Sequence, residues 1–520
     1  MHKKITAKKT KKLLSSNKEI SLIDIREIGP HSNGHPFFSI SIPYSVFEIE
    51  LKKLVPNKKV MVIIFDQNDN LSEIAFKQAQ KLGYKNLFVL ENGIKGWVDQ
   101  GYKLFDGINV PSKAFGEMVE LKNKTPHIKP ATLVQKIKSK ENIIILDGRP
   151  FDEFKKMNIP NGICCPNMEM PVRIEKKIDK KTEIIVNCAG RTRSIIGAQN
   201  LINYGINNKV KALENGTQGW FLSDLKLEQN QNRKLPLPKL KTNKTFTKKA
   251  AELIEKFKLQ KINFKEASNI LKDKSRTTYI FDITTREKKY SNFYKGIRNA
   301  PGGQLIQATD KYIGVMNSQI ILLDDGDLIR STMTASWLKK MGYHAFIYDG
   351  DQTKLANLLP KINSKNHLLK SNKIKSLFNQ IYIDFKILDI RNSHSFKKAH
   401  LKKSTWLSRS NLRFINLKTK KKLLIVYDNL TKAKLIENDI KEKYNFELYF
   451  YKFVENDFHK FPNILTTNTN YPKKTDCIDF VYHTHKRHSG SKNHAKKYLN
   501  WEMSLINKMD KEERKKFIFQ

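Results

Sequence analysis

The chain has 520 residues, of which 39% are hydrophobic and 28% are charged. This length predicts three or four compact domains rather than one, and the composition excludes wholesale disorder. A net charge of +45 would suggest a nucleic-acid partner, but only 15 of the 96 basic residues are arginines and the lysines are spread over every segment. Such a pattern is typical of a solvated surface, so we expect no specific nucleic-acid partner.

The chain also has no feature of a membrane or disulfide-stabilised protein. No uninterrupted apolar run reaches about 18 residues, and no apolar segment follows the basic start. Four cysteines, Cys164, Cys165, Cys188 and Cys477, are too few for a disulfide framework. These observations predict a cytoplasmic protein that does not contact membranes.

A short apolar run that ends in aspartate recurs four times along the chain. The runs end at Asp24, Asp147, Asp282 and Asp389, and a second apolar run ends 42, 41, 43 and 39 residues later, at Asp66, Cys188, Asp325 and Asp428. In the first three copies a helical stretch follows, closes at a glycine and leads to a further strand. This alternation predicts small α/β units, each with a parallel sheet and helices on both faces.

The repeat divides the chain into four units and a tail. The predicted limits are 5–110, 125–232, 247–361 and 367–465 for the four units, and 466–520 for a helical C-terminal tail. The stretch NRKLPLPKLKTNKTFTKK has the Pro and Lys content of an exposed connector between the second and third units. In the tail, Leu499, Met503, Leu505 and Ile506 predict an amphipathic helix that packs on a domain.

Only the second unit has a cysteine at the end of its later strand. Backbone N–H groups in a loop between a strand and a helix point inward, and the helix dipole adds positive potential, so such a loop binds anions and favours a thiolate. Gly190 permits a tight curl of backbone. Arginine adds donors for an oxyanion, and Arg149 is placed to reach the same pocket from the neighbouring strand end. We predict Cys188 as the catalytic nucleophile and Arg149, Ala189, Gly190, Arg191, Thr192, Arg193 and Ser194 as substrate-binding residues.

These residues resemble the rhodanese-like sulfurtransferases. The segments NCAGRTRSIIGAQNLINYG and ALENGTQGW carry the resemblance in the second unit, and LDGRPFDEF, APGGQLIQATD and HKRHSGSKNHAKKYLNWE extend it along nearly the whole chain. Tandem arrays of four such domains with one cysteine-bearing copy occur in that family, so the resemblance implies four tandem rhodanese-like domains.

The same resemblance implies a sulfur-transfer reaction without a cofactor. Cys188 would take the sulfane sulfur of thiosulfate or a similar small donor, release sulfite and hold the sulfur as a persulfide. It would then pass the sulfur to cyanide or to a thiol, including a protein thiol. The family usually has a histidine before an Ile-Pro turn, whereas this chain has Asn158 there, which excludes a role for that imidazole.

Two other functions stay open at this point. The chain could be a sulfur carrier or scaffold that holds a persulfide on Cys188 without rapid turnover. It could also be a cysteine-dependent phosphatase or arsenate reductase, but those enzymes place five residues between cysteine and arginine, whereas four separate Cys188 from Arg193. The tighter loop suits a single sulfur atom.

The other units are predicted to be inactive, because Asp66, Asp325 and Asp428 cannot form a persulfide. A carboxylate in a loop lined by N–H groups acts as its own bound anion and caps the helix.

The remaining cysteines and histidines are predicted to hold no metal. Cys477 with His483, His485, His488 and His494 lacks zinc-ligand spacing. Cys164 and Cys165 are predicted to be packing residues, with a resolving thiol as the alternative.

Overall fold

The structure, a computed structural model, describes most of the chain. The described residues are 2–174, 178–237, 244–285, 294–361, 385–415, 422–458, 464–467, 470–481 and 491–519. His483, His485 and His488 of the tail, and residues 238–243 of the predicted connector, lie outside the described residues.

Four separate parallel sheets follow one another along the described chain, which confirms the predicted α/β fold with four units. In the first unit the spatial order is Lys4–Ile5, Leu87–Leu90, Met61–Phe65, Ile20–Asp24, Ile40–Ser41. In the second it is His127–Ile128, Val210–Leu213, Glu183–Asn187, Ile143–Asp147, Ile163–Cys164. In the third it is Gln260–Ile262, His344–Tyr348, Gln319–Leu323, Thr278–Asp282, Ile297–Asn299. In the fourth it is Thr405–Trp406, Phe385–Asp389, Lys422–Tyr427, Leu448–Lys452.

Helices connect these strands as crossovers. The first unit has Ala7–Leu14, Ile28–Asn33, Phe47–Leu54, Leu71–Lys81 and Gly93–Asp99. The second has Pro130–Lys138, Phe151–Lys156, Met170–Ile174, Thr192–Tyr204 and Gly216–Leu222. The third has Lys244–Lys256, Phe264–Lys272, Gly302–Gln307, Ile329–Lys340 and Gln352–Asn357, and the fourth has Ser393–Lys398 and Leu430–Lys443. The central strands of each sheet are buried on both faces, as parallel sheets covered by helices require.

Strand register decides which residue of each unit corresponds to Cys188. Asp147 pairs with Asn187, so Cys188 is the first residue beyond the paired strand. By the same pairing the corresponding residues are Asp66, Asp324 and Tyr427 in the other three units. The predicted Asp325 and Asp428 are therefore each wrong by one residue. The later run of the third unit ends in two aspartates, and that of the fourth unit ends in tyrosine followed by aspartate, so the sequence alone does not decide which residue comes directly after the paired strand.

Two helices outside the sheets pack on the second unit. The linking helix, Val110–Asn123, joins the first two units and contacts the helix Thr192–Tyr204. The C-terminal helix, Lys492–Lys508, packs on the linking helix and precedes a short helix, Lys511–Lys515. The predicted helical tail is thus confirmed, but its buried face differs from the prediction, because Met503 is 42% exposed and Glu502 is fully buried.

The largest apolar core is shared between units. It includes Phe37 of the first unit, Phe115 of the linking helix, Ile195 of the second unit, Trp337 of the third and Phe517 of the tail. Buried ion pairs also cross the boundaries: Arg330 of the third unit bonds to Glu169 of the second over 2.9 Å. In the part of the chain that the structure describes, no helix is long and apolar enough to cross a membrane.

Candidate active site

Cys188 lies at the base of a loop that curls from the strand Glu183–Asn187 into the helix Thr192–Tyr204. Only 2% of the Cys188 surface is exposed to solvent. The Sγ atom is 3.6 Å from the hydroxyl of Ser194 and 3.8 Å from the carbonyl oxygen of Arg191. The thiol therefore sits inside the loop, beside the first turn of the helix, where the partial positive charge of the helix is concentrated.

The turn after the next strand bonds to the first two carbonyls of the loop. The backbone N–H of Thr217 donates to the carbonyl of Cys188 over 2.8 Å, and that of Gln218 donates to the carbonyl of Ala189 over 3.1 Å. Gly216 has φ +55° and lies so close that a Cβ there would be 2.3 Å from the Cys188 oxygen. These two carbonyls are bonded to the turn, so they are not acceptors for the loop N–H groups.

Those N–H groups are the donors that an anion on the sulfur would use. The N–H groups of Ala189, Gly190, Arg191 and Arg193 have no protein acceptor within the described residues. The loop therefore combines one thiol with several backbone donors that have no other acceptor in the described part of the chain, as a site for a sulfur-borne negative charge requires.

Residues from outside the second unit fix the outer side of the loop. The guanidinium of Arg191 bonds to both oxygens of Glu117, over 2.7 and 2.8 Å, and to Glu120, all on the linking helix. Glu502 of the C-terminal helix accepts the backbone N–H of Thr192 over 3.3 Å and the hydroxyl of the same residue. The linking helix and the tail thus act as a clamp on the loop.

The other two predicted arginines are also bonded to carboxylates. Arg193 forms two hydrogen bonds of 2.9 Å to Glu153. Arg149 bonds to both oxygens of Asp147, over 2.8 and 2.7 Å, and to the carbonyl oxygen of Met157 over 2.6 Å. The structure places Ala189–Ser194 in the loop and first helical turn that follow Cys188, and Arg149 at the end of the neighbouring strand. It gives the three arginine side chains structural partners, and their role in binding substrate stays a prediction.

Several residues that shape the loop could not be found from local motifs. Glu502 and Glu117 are distant in sequence and carry no spacing signal. Thr217 and Gln218 do have a sequence signal, because the motif ENG directly precedes them and occurs at the same place in the first unit. In the first unit the equivalent glycine, Gly93, has φ +53° and a Cβ there would be 2.7 Å from the Asp66 carbonyl oxygen. The repeated motif therefore marks the turn that supports the loop.

The loop of the first unit is closed by its own aspartate. Asp66 accepts the N–H of Asn68 over 2.9 Å and that of Ser72 over 2.8 Å. In the third unit Asp324 likewise accepts the N–H of Ser331 over 2.8 Å. The expectation that a carboxylate takes the anion's place and caps the helix describes both loops, with Asp324 replacing Asp325.

We expect Asp66→Ala to destabilise the first unit by about 1–2 kcal/mol, because two N–H groups of the loop and helix start lose their acceptor. Persulfide formation at Cys188 should be unchanged. Urea denaturation measures the loss of stability, and the mass of the peptide that contains Cys188 shows whether the persulfide forms. A variant as stable as the wild type would show that Asp66 does not cap the loop.

Where the clamp meets the loop, the ion pairs of the described residues join three carboxylates, Glu117, Glu120 and Glu502, to two cations, Arg191 and Lys113. Burial and the neighbouring Glu502 and Glu120 raise the pKa of Glu117 to about 7, although Arg191 opposes the shift. One proton should therefore stay in the cluster near neutral pH.

This proton makes stability depend on pH in a defined direction. Glutamate in an unfolded chain has a pKa of about 4.3, so the stabilisation is complete below that pH and is lost as the pH rises through about 7. Between about pH 5 and pH 7.5, we expect the wild type to lose about 2 kcal/mol more unfolding free energy than Glu117→Gln. Urea denaturation at both pH values measures the difference, and parallel losses in the two proteins would contradict it.

The other cysteines lie in buried positions with different chemistry. Burial raises the pKa of Cys164 to about 12, and it raises the pKa of Cys165 as well. Both thiols are therefore held protonated, which favours the packing interpretation. Among the described residues, no group of three or more His, Cys, Asp or Glu side chains is arranged to hold a metal ion.

Comparison with known proteins places this site in context. The rhodanese-like domain model matches residues 6–100 and 130–223, the latter including Cys188. No curated protein matches the chain. A crystal structure of a thiosulfate sulfurtransferase from Pseudomonas aeruginosa aligns with a TM-score of 0.87 and 28% identity, over 99% of both chains.

Smaller solved structures match about a fifth of the chain. A protein from Bacillus halodurans is 26% identical over 21% of this chain and 81% of its own, with a TM-score of 0.19. A rhodanese-related protein from Thermoplasma volcanium is 25% identical over 20% of this chain and 97% of its own, with a TM-score of 0.18.

Proposed function

Because the chain contains two rhodanese-like domains and shares its fold with a thiosulfate sulfurtransferase along nearly its whole length, we propose that it is a sulfurtransferase that works through a persulfide on Cys188. The donor in this proposal is thiosulfate or a similar small sulfane-sulfur compound, and the acceptor is cyanide or a thiol. One observation carries the proposal: of the four equivalent positions, which hold Asp66, Cys188, Asp324 and Tyr427, only that of the second unit holds a thiol, and its loop N–H groups have no protein acceptor within the described residues.

The first step transfers one sulfur atom to the enzyme. The Cys188 thiolate attacks the sulfane sulfur of thiosulfate, the bond between the two sulfurs of thiosulfate breaks, and sulfite leaves with the electron pair. The persulfide on Cys188 carries one negative charge, which the N–H groups of Ala189, Gly190 and Arg191 are placed to stabilise. The Ser194 hydroxyl lies 3.6 Å from Sγ and donates to the Arg191 carbonyl over 2.8 Å, and rotation away from that carbonyl would turn it towards the same charge.

The second step restores the thiolate. The acceptor attacks the outer sulfur, the S–S bond of the persulfide breaks, and the electron pair returns to Cys188. Cyanide then leaves as thiocyanate, or a thiolate leaves as an organic persulfide. Charge balances in both steps, and no external oxidant or reductant is required.

The arginine partners disfavour the phosphatase alternative. A phosphate dianion would need guanidinium donors directed into the loop. Arg193 instead bonds to Glu153, and Arg191 bonds to Glu117 and Glu120 on the outside of the loop. Backbone N–H groups are the donors left for the substrate, which suits a small sulfur anion.

Sulfite release distinguishes an enzyme from a carrier. Without an acceptor, thiosulfate should release one equivalent of sulfite per protein, because each Cys188 is loaded once. With cyanide added, an enzyme releases sulfite and thiocyanate continuously. A single equivalent in both conditions would support the carrier function instead, and no sulfite in either condition would contradict both.

A further inference from the structure

A large cavity lies next to the Cys188 loop. Its volume is about 790 Å³, and its walls come from residues 106–109, the second unit, the third unit and the C-terminal helix. Binding sites for organic ligands usually measure about 300–1,000 Å³. Thiosulfate or cyanide would fill only a small part of this space.

Two wall residues connect the cavity to the loop. Arg193 lies in the first turn of the helix that follows the loop, and it lines the cavity. Tyr498 of the C-terminal helix also lines it, and a Cβ placed on Gly190 would be 3.3 Å from the ring of Tyr498. The cavity therefore borders the Cys188 loop through the side chains of Arg193 and Tyr498.

The cavity carries an excess of positive charge. Arg149, Arg193 and Lys113 are each neutralised by a carboxylate, namely Asp147, Glu153 and Glu502. Lys156, Lys311 and Lys497 also line the cavity, and none of these three has an ion-pair partner among the described residues. They come from three different elements, the helix Phe151–Lys156, the turn Thr309–Lys311 and the C-terminal helix, so their charges surround the cavity.

We propose that this cavity binds the acceptor, and that the acceptor is an organic thiol with two or more carboxylates. This inference rests on the proposed function and specifies its acceptor. Three cations that lack carboxylate partners attract a multiply charged anion, and the volume accommodates an organic molecule rather than an inorganic ion. The thiolate of the bound acceptor attacks the outer sulfur of the Cys188 persulfide, the S–S bond breaks, and Cys188 leaves as thiolate.

Two thiols of different charge test the proposal in the full-length protein. Mercaptosuccinate carries two carboxylates, and 2-mercaptoethanol carries none. At saturating thiosulfate, we expect a Lys156→Gln, Lys311→Gln, Lys497→Gln variant to lose about 10-fold in kcat/KM for mercaptosuccinate, and less than about 2-fold for 2-mercaptoethanol. A control with the exposed lysines Lys85, Lys265 and Lys398 changed to glutamine should keep both values.

Binding without chemistry separates this inference from the proposed function. The wild type should bind 2-(methylthio)succinate, which has the same carboxylates but no free thiol, and the cavity variant should bind it at least about 10-fold more weakly by calorimetry. Absence of binding to the wild type, or equal binding by the variant, overturns the cavity proposal whatever the turnover. Absence of sulfite release from thiosulfate overturns the proposed function instead.

Discussion

Replacing Cys188 by serine is expected to abolish persulfide formation and to lower thiosulfate–cyanide turnover by at least about 1,000-fold. A hydroxyl is not ionised near neutral pH and cannot hold the sulfane sulfur. The loop itself should survive, because the Thr217 and Gln218 bonds to its carbonyls involve only backbone on the loop side. A colorimetric thiocyanate assay measures the turnover, and circular dichroism shows whether the fold is kept.

Cys164→Ser is the matched control, since it makes the same atom change at another buried cysteine of the same unit. Burial raises the pKa of Cys164 to about 12, so its thiol is not a nucleophile at neutral pH. This variant should keep turnover within about 3-fold of the wild type. Equal activity of Cys188→Ser and the wild type would refute the assignment of Cys188, whereas loss of activity in both variants would make Cys164 part of the reaction.

The second large effect is expected on stability. Asp147 is completely buried and bonds to Arg149 through both oxygens and to the side chain of Asn187 over 2.8 Å. Asp147→Ala leaves the Arg149 charge buried without its partner, which costs about 3–5 kcal/mol. Because Asn187 directly precedes Cys188, persulfide formation should fall as well. Hydrogen exchange in the strand Ile143–Asp147 reports the local stability.

The repeat supplies a matched control for this prediction. In the fourth unit Asp389 bonds to Arg391 in the same way, over 3.0 and 2.6 Å. Asp389→Ala should raise hydrogen exchange in the strand Phe385–Asp389 by a similar factor and leave persulfide formation at Cys188 intact. If both variants lost activity equally, the effect at Asp147 would be a general one on the chain and not one on the site.

The sequence alone predicts the features that depend on residues close together in the chain. The Cys188 loop lies within seven consecutive residues, so its chemistry is visible as a motif. The four-fold repeat was likewise visible, because strand spacing is set by the crossover helices. The predicted equivalent of Cys188 in the third unit is Asp325, and the structure has Asp324 instead. Strand register decides between the two, and it depends on pairing with another strand.

The clamp shows why the residues that fix the outer side of the Cys188 loop could not be predicted from the sequence. Thr192 and Glu502 are 310 residues apart, and only the packing of the C-terminal helix brings them together. A buried glutamate on that helix contradicts the apolar pattern from which the helix was predicted, and it is explained only by its partners Thr192 and Lys113. The sequence pattern predicts Arg149, Arg191 and Arg193 as donors to substrate, whereas in the fold their guanidinium groups bond to carboxylates.

The central claim is that Cys188 carries a sulfur atom during the reaction. Incubating the full-length protein with thiosulfate, without an acceptor, and measuring the mass of the peptide that contains Cys188 tests it most directly. The account predicts a gain equal to one sulfur atom on that peptide, removed by cyanide and absent from the peptides of Cys164, Cys165 and Cys477. An unchanged Cys188 peptide, or the added sulfur on another cysteine, would contradict it.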